Sequence, residues 1–392
     1  MINIGIDVGK FRHCASVLDD RTGEWIYVPF FFTNDKAGFE SLYEKIKPYL
    51  NRKHAVGMEC TGHYMYNLSN FLLEKKCTVM YINPRATHMR RIELGRAAKN
   101  DKLDSKMISE MLSEKHFWQH VTEHSLQLYE LRELTRVYHQ LKEQQNQDQN
   151  RLQRALDIVF PEYTGLSWKS YGTAYMNVLR RYPSAAIIAS TDIRSLRNVL
   201  ATKGRGRKSK VTAEILKSAA RDSIGDAHNV AVELEIQSVI AVIEARAEQI
   251  DILEKKIEEF SQQLNSPITS IPGIGSITGM SILAEIGDIT RFSDASKLIS
   301  FAGMAPGVYQ SGSYDAARLP ISKHGSRYLR KALYQAVFTV CNYSPIFKKY
   351  FSGKKSQGKQ YRCAQGHAVR KLLRVIYKLL STGTQYDPAL CL

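Results

Sequence analysis

The segment INIGIDVGK (residues 2–10) is a short run of β-branched apolar residues that ends in Asp-Val-Gly, a pattern typical of a buried strand. FRHCASVLDD (11–20) and EWIYVPFFFT (24–33) predict two further strands, joined by a turn that contains Thr22-Gly23. The chain is therefore expected to open with three strands in an antiparallel meander.

Helices and strands alternate after this meander. The hydrophobic pattern predicts an amphipathic helix over 36–50, a strand at HAVGMEC (54–60), a helix over 64–75 and a strand at CTVMYINP (77–84). Three strands followed by alternating helices and strands is the order of an RNase H-like (RuvC-like) α/β domain, which we place at residues 1–115.

The composition indicates a folded, strongly basic protein. The 392 residues are enough for two or three domains, and 44% of them are hydrophobic, too many for a disordered chain. Lys and Arg total 55 against 38 Asp and Glu, which gives a net charge of +17. A polyanionic partner follows from this charge, with nucleic acid as the first candidate; the alternative is a basic protein that binds nothing anionic.

The cysteine pattern and the hydropathy indicate the cellular compartment. The six cysteines include no C-x-x-C pair, which argues against a zinc ribbon and a disulfide framework. No apolar run approaches the roughly 20 residues of a membrane helix, and the first residues do not resemble a signal peptide. We expect a soluble cytoplasmic protein with no membrane partner.

Two long segments, 116–160 and 231–265, carry apolar residues at helical spacing, with polar interruptions at Asp148 and Arg246. They predict an antiparallel coiled coil, within the chain or between subunits; the alternative is two ordinary core helices. The segment between them, 161–230, is expected to be a small helical insertion. Its stretch KGRGRKSK (203–210) is either a phosphate-contacting loop or a solvated one.

The last domain, 266–385, is expected to be mainly α-helical. It opens with IPGIGSITGMSILAEIGD (271–288), where Gly273 and Gly275 precede a predicted helix. This resembles a helix-hairpin-helix turn, whose glycine amides can hold a phosphate at a helix N-terminus. The alternative is a tight turn that needs glycine only for positive φ.

Four acids fall at the ends of elements in the first domain. Asp7 and Glu59 end two strands of the predicted sheet, and Asp101 and Asp104 lie three apart at a predicted helix start. Carboxylates from several elements can hold the divalent cations that phosphodiester chemistry uses, and such hard ligands suit Mg²⁺ or Mn²⁺. The alternative for each acid alone is ordinary, since helix N-termini favour Asp.

A zinc site is a weaker alternative. His116, His120 and His124 recur at every fourth position, so a single helix could present all three imidazoles on one face. The competing interpretation is an ordinary helix or linker that leads into the coiled coil.

The sequence resembles the transposases of the insertion-sequence 110 group, recombinases with a RuvC-like DEDD domain and a C-terminal transposase domain. The matching pieces extend over nearly the whole chain: GIDVGK, GMECTGHY, INPRATHMRR, KNDKLDSKM, IPGIGSITG, AGMAPGVYQSGS, ISKHGSRYLRKAL and AVRKLLRVIYKLL. Two departures stand out. Asn100 occupies a position where threonine is common, and SYDAARLP (313–320) is less basic than usual.

The resemblance implies a mechanism. Asp7, Glu59, Asp101 and Asp104 would be the DEDD metal-binding quartet, and Ser311 the nucleophile that forms a covalent phosphoserine linkage to DNA. Tyr309, Ser313, Tyr314, Ser322 and Ser326 are nearby alternatives to Ser311. The metal quartet, brought close to the serine within one chain or across a subunit interface, would remove its proton and stabilise the developing charge. The resemblance also implies a prokaryotic protein that is associated with the nucleoid when active.

The resemblance also implies partners: donor and target double-stranded DNA, a structured non-coding guide RNA, and further copies of the chain in a homodimer or homotetramer. The candidate nucleic-acid-binding residues flank the proposed chemical centres or lie in the glycine turn: Arg85, Arg90, Arg91, Arg96, Lys99, Lys102, Gly273, Gly275, Lys323, Arg327, Arg330 and Lys331.

Three rival functions stay open. The first keeps the fold but cuts DNA junctions with metal-activated water, as a structure-selective endonuclease. The second takes IGIDVGK as a phosphate motif of an actin-like ATPase or sugar kinase, for which we find no partner motifs. The third is a non-catalytic protein that packages nucleic acid.

Overall fold

The computed structural model describes residues 1–60, 62–95, 100–114, 118–201, 210–226, 229–307, 310–311, 314–315 and 320–391. Contacts divide the chain into two compact units. The first comprises Met1–Glu130 and Gly287–Asp294, and the second comprises Leu131–Ile286 and Ala295–Leu392. No helix among the described residues is long and apolar enough to cross a membrane.

The described residues of the first unit form a mixed sheet and four α-helices, followed by the start of a fifth α-helix. Its elements are β1 (Ile2–Asp7), β2 (Arg12–Asp19), β3 (Glu24–Thr33), α1 (Lys36–Ile46), β4 (His54–Glu59), α2 (Met65–Glu74), β5 (Val79–Ile82), α3 (Pro84–Glu93), α4 (Asp101–Met111), β6 (Trp118–His120) and the start of α5 (Glu123–Val159). The predicted meander and the alternation after it are confirmed.

The sheet order is β3-β2-β1-β4-β5-β6. Strands β1, β4 and β5 are parallel, and the other neighbours are antiparallel. This mixed sheet, followed by a mostly helical remainder, is consistent with the expected RNase H-like class.

Both faces of the sheet are covered, which explains why its central strands are almost continuously apolar. Ile2, Ile4 and Ile6 of β1 pack into a core with α1 and α2. The opposite face is covered by α4, whose Met107, Ile108 and Met111 form a second core with residues of β4 and β5.

The helix predicted from residue 116 begins only at Glu123, and the helical zinc-binding face considered as the weaker alternative for residues 116–124 does not form in the residues that can be described. Trp118–His120 is a strand paired with β5, while α5 begins only at Glu123, so His120 and His124 do not share one helix. His116 lies outside the described residues. Residues 118–120 form a strand despite the helical spacing of the histidines, because pairing with β5 adds a sixth strand to the sheet.

The second unit is mainly helical. Its elements are the rest of α5, then α6 (Thr173–Arg181), α7 (Ala185–Ser190), α8 (Ile193–Leu200), α9 (Ala213–Arg221), α10 (Val230–Leu264), α11 (Ser276–Ile286), α12 (Ala295–Phe301), β7 (Gln310–Ser311), β8 (Tyr314–Asp315), α13 (Arg327–Tyr343), α14 (Pro345–Ser356) and α15 (Tyr361–Thr382). The segment 161–230 thus contains short helices. Of its predicted basic loop, only Lys210 is described.

Helices α5 and α10 lie antiparallel within the chain. The Tyr138 hydroxyl donates to Glu254 at 3.1 Å, and Arg246 Nε donates to Asp148 at 2.9 Å. Asp148 and Arg246 are the two polar interruptions of the apolar patterns, and they neutralise each other across the pair. The antiparallel pairing accounts for both interruptions, while the coiled-coil description stays a prediction.

Candidate metal centre and nucleic-acid contacts

Asp7 and Glu59 end neighbouring parallel strands at the same edge of the sheet. Strands β1 and β4 pair with Ile6 opposite Met58, so Asp7 and Glu59 are the next residues along each strand. The carboxyl ends of parallel strands form a common edge, and both acids are half-buried there.

Helix α4 lies on the same side of the sheet as these two acids. Alternate residues of a strand share a face, and on β1 the residues that face α4 are Asn3, Gly5 and then Asp7. Asn3 donates to Ser113 at 3.0 Å, and the Gly5 amide donates to Ser109 at 2.8 Å. Each step of two residues along β1 moves four residues back along α4, so the series brings Asp7 towards the first turn of that helix.

This packing depends on small side chains. A Cβ on Gly5 would stand 2.3 Å from the Ser105 carbonyl oxygen and from the Ser109 amide nitrogen, so only glycine allows α4 to approach so closely. Ser105 also bonds Ser16 of β2 at 2.7 Å. Sequence reasoning missed this seam, although Ser105 and Ser109 of α4 and Ser113 just after it recur at every fourth residue.

Cys14 provides an independent sign that the acids converge. It pairs with Asp7 across β1 and β2. Burial raises the pKa of the Cys14 thiol; the hydrogen bond to Ser105 opposes this shift, and the negative charges of Asp7 and Asp101 add to it. Asp7 and Asp101 therefore act on the same buried thiol, although they come from different elements.

The first turn of α4 places its two acids differently. Asp101 is exposed at the first helical position, where the helix dipole favours a carboxylate. The Asn100 side chain accepts from the Lys102 amide at 3.0 Å, so asparagine caps the helix where threonine was expected. Asp104 is buried, with only 7% of its side chain exposed.

Asp104 forms an ion pair with Arg91 of α3. Arg91 Nε donates to Oδ1 at 3.2 Å, while Nη2 lies 3.1 Å from Oδ2. The second contact is close enough for an ion pair, but its geometry gives Oδ2 no hydrogen bond from the residues that the structure describes. Asp104 thus has a cationic neighbour and a buried oxygen with no donor among the described residues.

The four acids fit a hard divalent cation in donor chemistry. All offer carboxylate oxygens, which Mg²⁺ and Mn²⁺ prefer, and no residue in the described ranges donates a hydrogen bond to the buried Oδ2 of Asp104. Within the described part of the chain, no three His, Cys, Asp or Glu side chains stand together as a metal-binding group. The structure therefore does not bring Asp7, Glu59, Asp101 and Asp104 together as one group, and Asp104 is paired with Arg91.

The predicted phosphate-binding residues of the first unit fall into three situations. Arg85 and Lys102 are exposed. Arg90 pairs with Glu93 at 2.9 Å and Glu114 at 3.3 Å, and Arg91 pairs with Asp104. Arg96 and Lys99 lie outside the described residues.

The glycine turn before α11 has a packing explanation at one of its two positions. Gly273 has φ of +93°, and a Cβ there would come within 2.8 Å of the α13 backbone at Thr339 and Val340. Gly275 faces open space and is exposed. Close helix packing therefore accounts for Gly273, while Gly275 is the position with room for a ligand.

The backbone of Ser311 lies in the two-residue strand β7, where it pairs with Tyr314 of β8. The side chains of both residues, and Tyr309 and Ser313 entirely, lie outside what the structure describes. Of the basic residues that follow, Lys323 and Arg327 are exposed, Arg330 donates to the carbonyl oxygens of Ala302 and Gly325, and Lys331 pairs with Glu143 at 3.2 Å.

A buried ion pair holds the start of α13. Glu285 of α11, whose side chain is 4% exposed, accepts from Arg136 Nε at 2.6 Å and from the Ser326 hydroxyl at 2.5 Å. Ser326 also caps α13 by accepting from the Leu329 amide. Sequence reasoning missed Glu285; the signal was a lone acid within an apolar helix.

Comparison with known proteins gives two family matches. Residues 4–161 match a family of DEDD transposases, and residues 265–352 match the transposase family IS116/IS110/IS902.

Individual relatives agree with these matches. The chain is 26% identical over 213 residues to an uncharacterized 43.6 kDa protein of insertion element IS110 from Streptomyces coelicolor, covering 54% of this chain and 52% of that protein. It is 22% identical to an uncharacterized protein of IS116 from Streptomyces clavuligerus, over 98% and 96% of the two chains. A pilin gene-inverting protein of Moraxella bovis is 33% identical over 31% of this chain and 38% of its own length. The match thus spans about half the length of the first relative.

Proposed function

The chain belongs to the IS116/IS110/IS902 family of transposases, and from this premise we propose that it is a recombinase that cuts and rejoins the DNA of an insertion element. The observation that carries the proposal is the packing of α4 on β1, which turns Asp7 and Glu59 to the side of the sheet where Asp101 and Asp104 begin a helix. Metal-assisted phosphodiester chemistry requires carboxylates from several elements close to one another, so the proposal needs the first turn of α4 to approach the sheet edge when metal and DNA bind.

The carboxylates of Asp7, Glu59, Asp101 and Asp104 would hold Mg²⁺ or Mn²⁺, and a cation bound there would offset the negative charge that develops on the phosphate oxygens. The chain's own residues position the DNA. Lys102 is exposed one residue after Asp101, so its ammonium can pair with the phosphate backbone next to the acids.

Ser311 is the proposed nucleophile. Its Oγ would bond to phosphorus while the bond from phosphorus to the departing sugar oxygen breaks, which leaves DNA joined to the protein as a phosphoserine ester. The hydroxyl proton leaves with a base, and the departing oxygen takes up a proton. Reversal by another DNA end rejoins the strand without an external energy source.

Partners are part of the proposal. Donor and target double-stranded DNA would be the substrates, a non-coding RNA of the element would guide the choice of sites, and two or four copies of the chain would assemble. The net charge of +17 supports nucleic-acid partners of either kind.

The test is capture of the covalent intermediate. Purified protein, labelled DNA carrying the element's ends, and Mg²⁺ should give a denaturant-resistant protein–DNA adduct that is absent from Ser311→Ala and retained in the matched variant Ser313→Ala. If Ser311→Ala still cut a DNA junction at the full rate, water would be the nucleophile and the chain a junction endonuclease.

The carboxylates are tested separately. Asp101→Ala or Asp104→Ala should abolish strand exchange while leaving binding of the element's RNA largely intact, and Glu110→Ala, in the same helix, should retain both. Loss of RNA binding together with strand exchange would make the acidic pair structural.

A further inference from the structure

The positive charge of this protein is concentrated near its C-terminus. Residues 316–386 contain 15 Lys and Arg and no Asp or Glu, so this stretch of 71 residues carries almost all of the net charge of +17. A helix surface normally mixes both signs, because like charges repel and opposite charges at helical spacing attract. So long a stretch without acids predicts a positively charged surface that a negatively charged partner neutralises.

The structure places nine of these cations on two helices, α14 (Pro345–Ser356) and α15 (Tyr361–Thr382), and a tenth, Lys359, in the turn between them; we call the two helices and their turn the basic hairpin. Their apolar sides are buried at Phe347, Leu372 and Ile376. None of the ten forms an ion pair with a residue that the structure describes. In contrast, Arg136 and Arg246 elsewhere in the same unit are paired with carboxylates.

Contacts draw several of the hairpin's cations together. The ammonium groups of Lys354 and Lys371 lie 5.6 Å and 5.0 Å from the centre of the Tyr350 ring, so α14 and α15 present their charges at one place. Arg370 lies 3.0 Å from His367, and the charges of Arg370, Lys354 and Lys359 add to burial in lowering the pKa of that imidazole.

Aromatic rings stand beside these charges. Phe351 and Tyr361 make an edge contact at 5.4 Å between ring centres, and Tyr361 is 47% exposed. An exposed ring flanked by cations can stack on an unpaired base while the cations hold its phosphates, whereas bases in a duplex are already stacked.

We propose that the basic hairpin binds the phosphate backbone of single-stranded nucleic acid, with Tyr361 stacking on an unpaired base. The proposal deepens the recombinase function and rests on it for the biological source of the strand, either DNA opened during exchange or an unpaired part of a guide RNA. The binding itself needs neither metal nor cleavage.

The experiment measures binding of labelled polythymidine and polyuridine strands of roughly 16 nucleotides to the full-length protein in EDTA. The variant Lys355→Gln/Lys359→Gln/Arg362→Gln removes three exposed charges at the turn of the hairpin. It should bind at least one of the two strands about tenfold more weakly, and the slope of log affinity against log salt should decrease by about 2, because each lost single-strand phosphate contact contributes about 0.7. Tyr361→Ala should weaken binding and leave the slope unchanged.

The matched control is Lys36→Gln/Lys53→Gln/Lys255→Gln, which removes the same charge from exposed positions elsewhere. An equal loss in this control would show a net-charge effect and overturn the proposal, as would unchanged binding in the hairpin variant. An equal loss for a duplex of the same length would overturn the preference for single strands. Tighter binding of polythymidine would identify DNA as the source of the strand, and tighter binding of polyuridine would identify RNA. The binding assay contains EDTA, which prevents metal-dependent cleavage, so it measures strand binding alone. If the adduct failed to form in the separate assay with Mg²⁺ while strand binding stayed intact, only the recombinase function would be refuted.

Discussion

Replacement of Gly5 by alanine tests whether the seam between β1 and α4 positions the acidic edge. The new Cβ would meet the Ser105 carbonyl oxygen and the Ser109 amide nitrogen at 2.3 Å, and both are backbone atoms of one helix. Neither can rotate away, so α4 must move by about 1 Å to restore ordinary van der Waals contact near 3.4 Å.

The expected loss follows from the contacts that this movement stretches. The Gly5 amide to Ser109 bond (2.8 Å) and the Ser16 to Ser105 bond (2.7 Å) would leave hydrogen-bonding range, at about 1 kcal/mol each. Overpacking adds about 1–3 kcal/mol. The total, about 3–5 kcal/mol, would be lost from the free energy that keeps α4 closed on the sheet.

Hydrogen exchange read by mass spectrometry is the suitable assay, because it reports the opening of individual segments in a chain with two units. Amides of α4 and β1 should exchange at least roughly a hundredfold faster in Gly5→Ala, since every 1.4 kcal/mol is a factor of ten. Peptides from α14 and α15 should not change.

Gly57→Ala is the matched control. Its Cβ would meet Leu112 at 2.7 Å, but through side-chain carbon atoms that can rotate, so a loss of about 1 kcal/mol is expected. If the two variants exchanged equally fast, or Gly57→Ala faster, the argument that the small-residue seam sets the position of α4 would be refuted.

Three further predictions concern charged and ionisable groups. Arg91→Met removes the cation that neutralises Asp104, so thermal unfolding without metal should begin at a lower temperature, and added Mg²⁺ should raise the Tm more than in the parent. Arg136→Met leaves the buried Glu285 carboxylate without its cation and should cost about 3–5 kcal/mol in urea unfolding. Burial raises the pKa of the Cys77 thiol to about 11, above its ordinary 9.0, so its contribution to stability is intact below pH 9 and lost as pH rises from about 9 to 11; stability measured across that range should fall less in Cys77→Ala.

Each of these has its own comparison. For Arg91→Met, an equal rise in Tm with Mg²⁺ in variant and parent would show that the Arg91 guanidinium and the metal do not compete for Asp104. For Arg136→Met the control is Arg197→Met, which breaks an exposed pair with Glu214 and should cost much less stability; equal losses in the two variants would contradict the argument from burial. For Cys77, the exposed Cys363 should react with a thiol reagent in the folded protein while Cys77 does not, and rapid labelling of Cys77 would contradict its burial.

Patterns in the sequence were sufficient for the order of elements. The alternation of β-branched residues over 2–33 and the helical spacing over 36–75 are local signals, and the strands and helices form where these signals lie. The polar interruptions at Asp148 and Arg246 were also visible, although only the antiparallel pairing shows that they meet. The predicted start of the long helix at residue 116 was wrong, because the pairing of residues 118–120 with β5 is a non-local effect that periodicity does not contain.

The sequence by itself determined that an acid ends each of two strands, that two acids begin a helix, and that almost all net positive charge lies after residue 315. Only the tertiary structure decided which of these groups share a surface. Gly5 lets α4 approach β1, and Arg91 pairs with Asp104 from another helix. The physical reason is that composition and periodicity act along the chain, whereas ion pairs and close packing depend on which segments the sheet brings together.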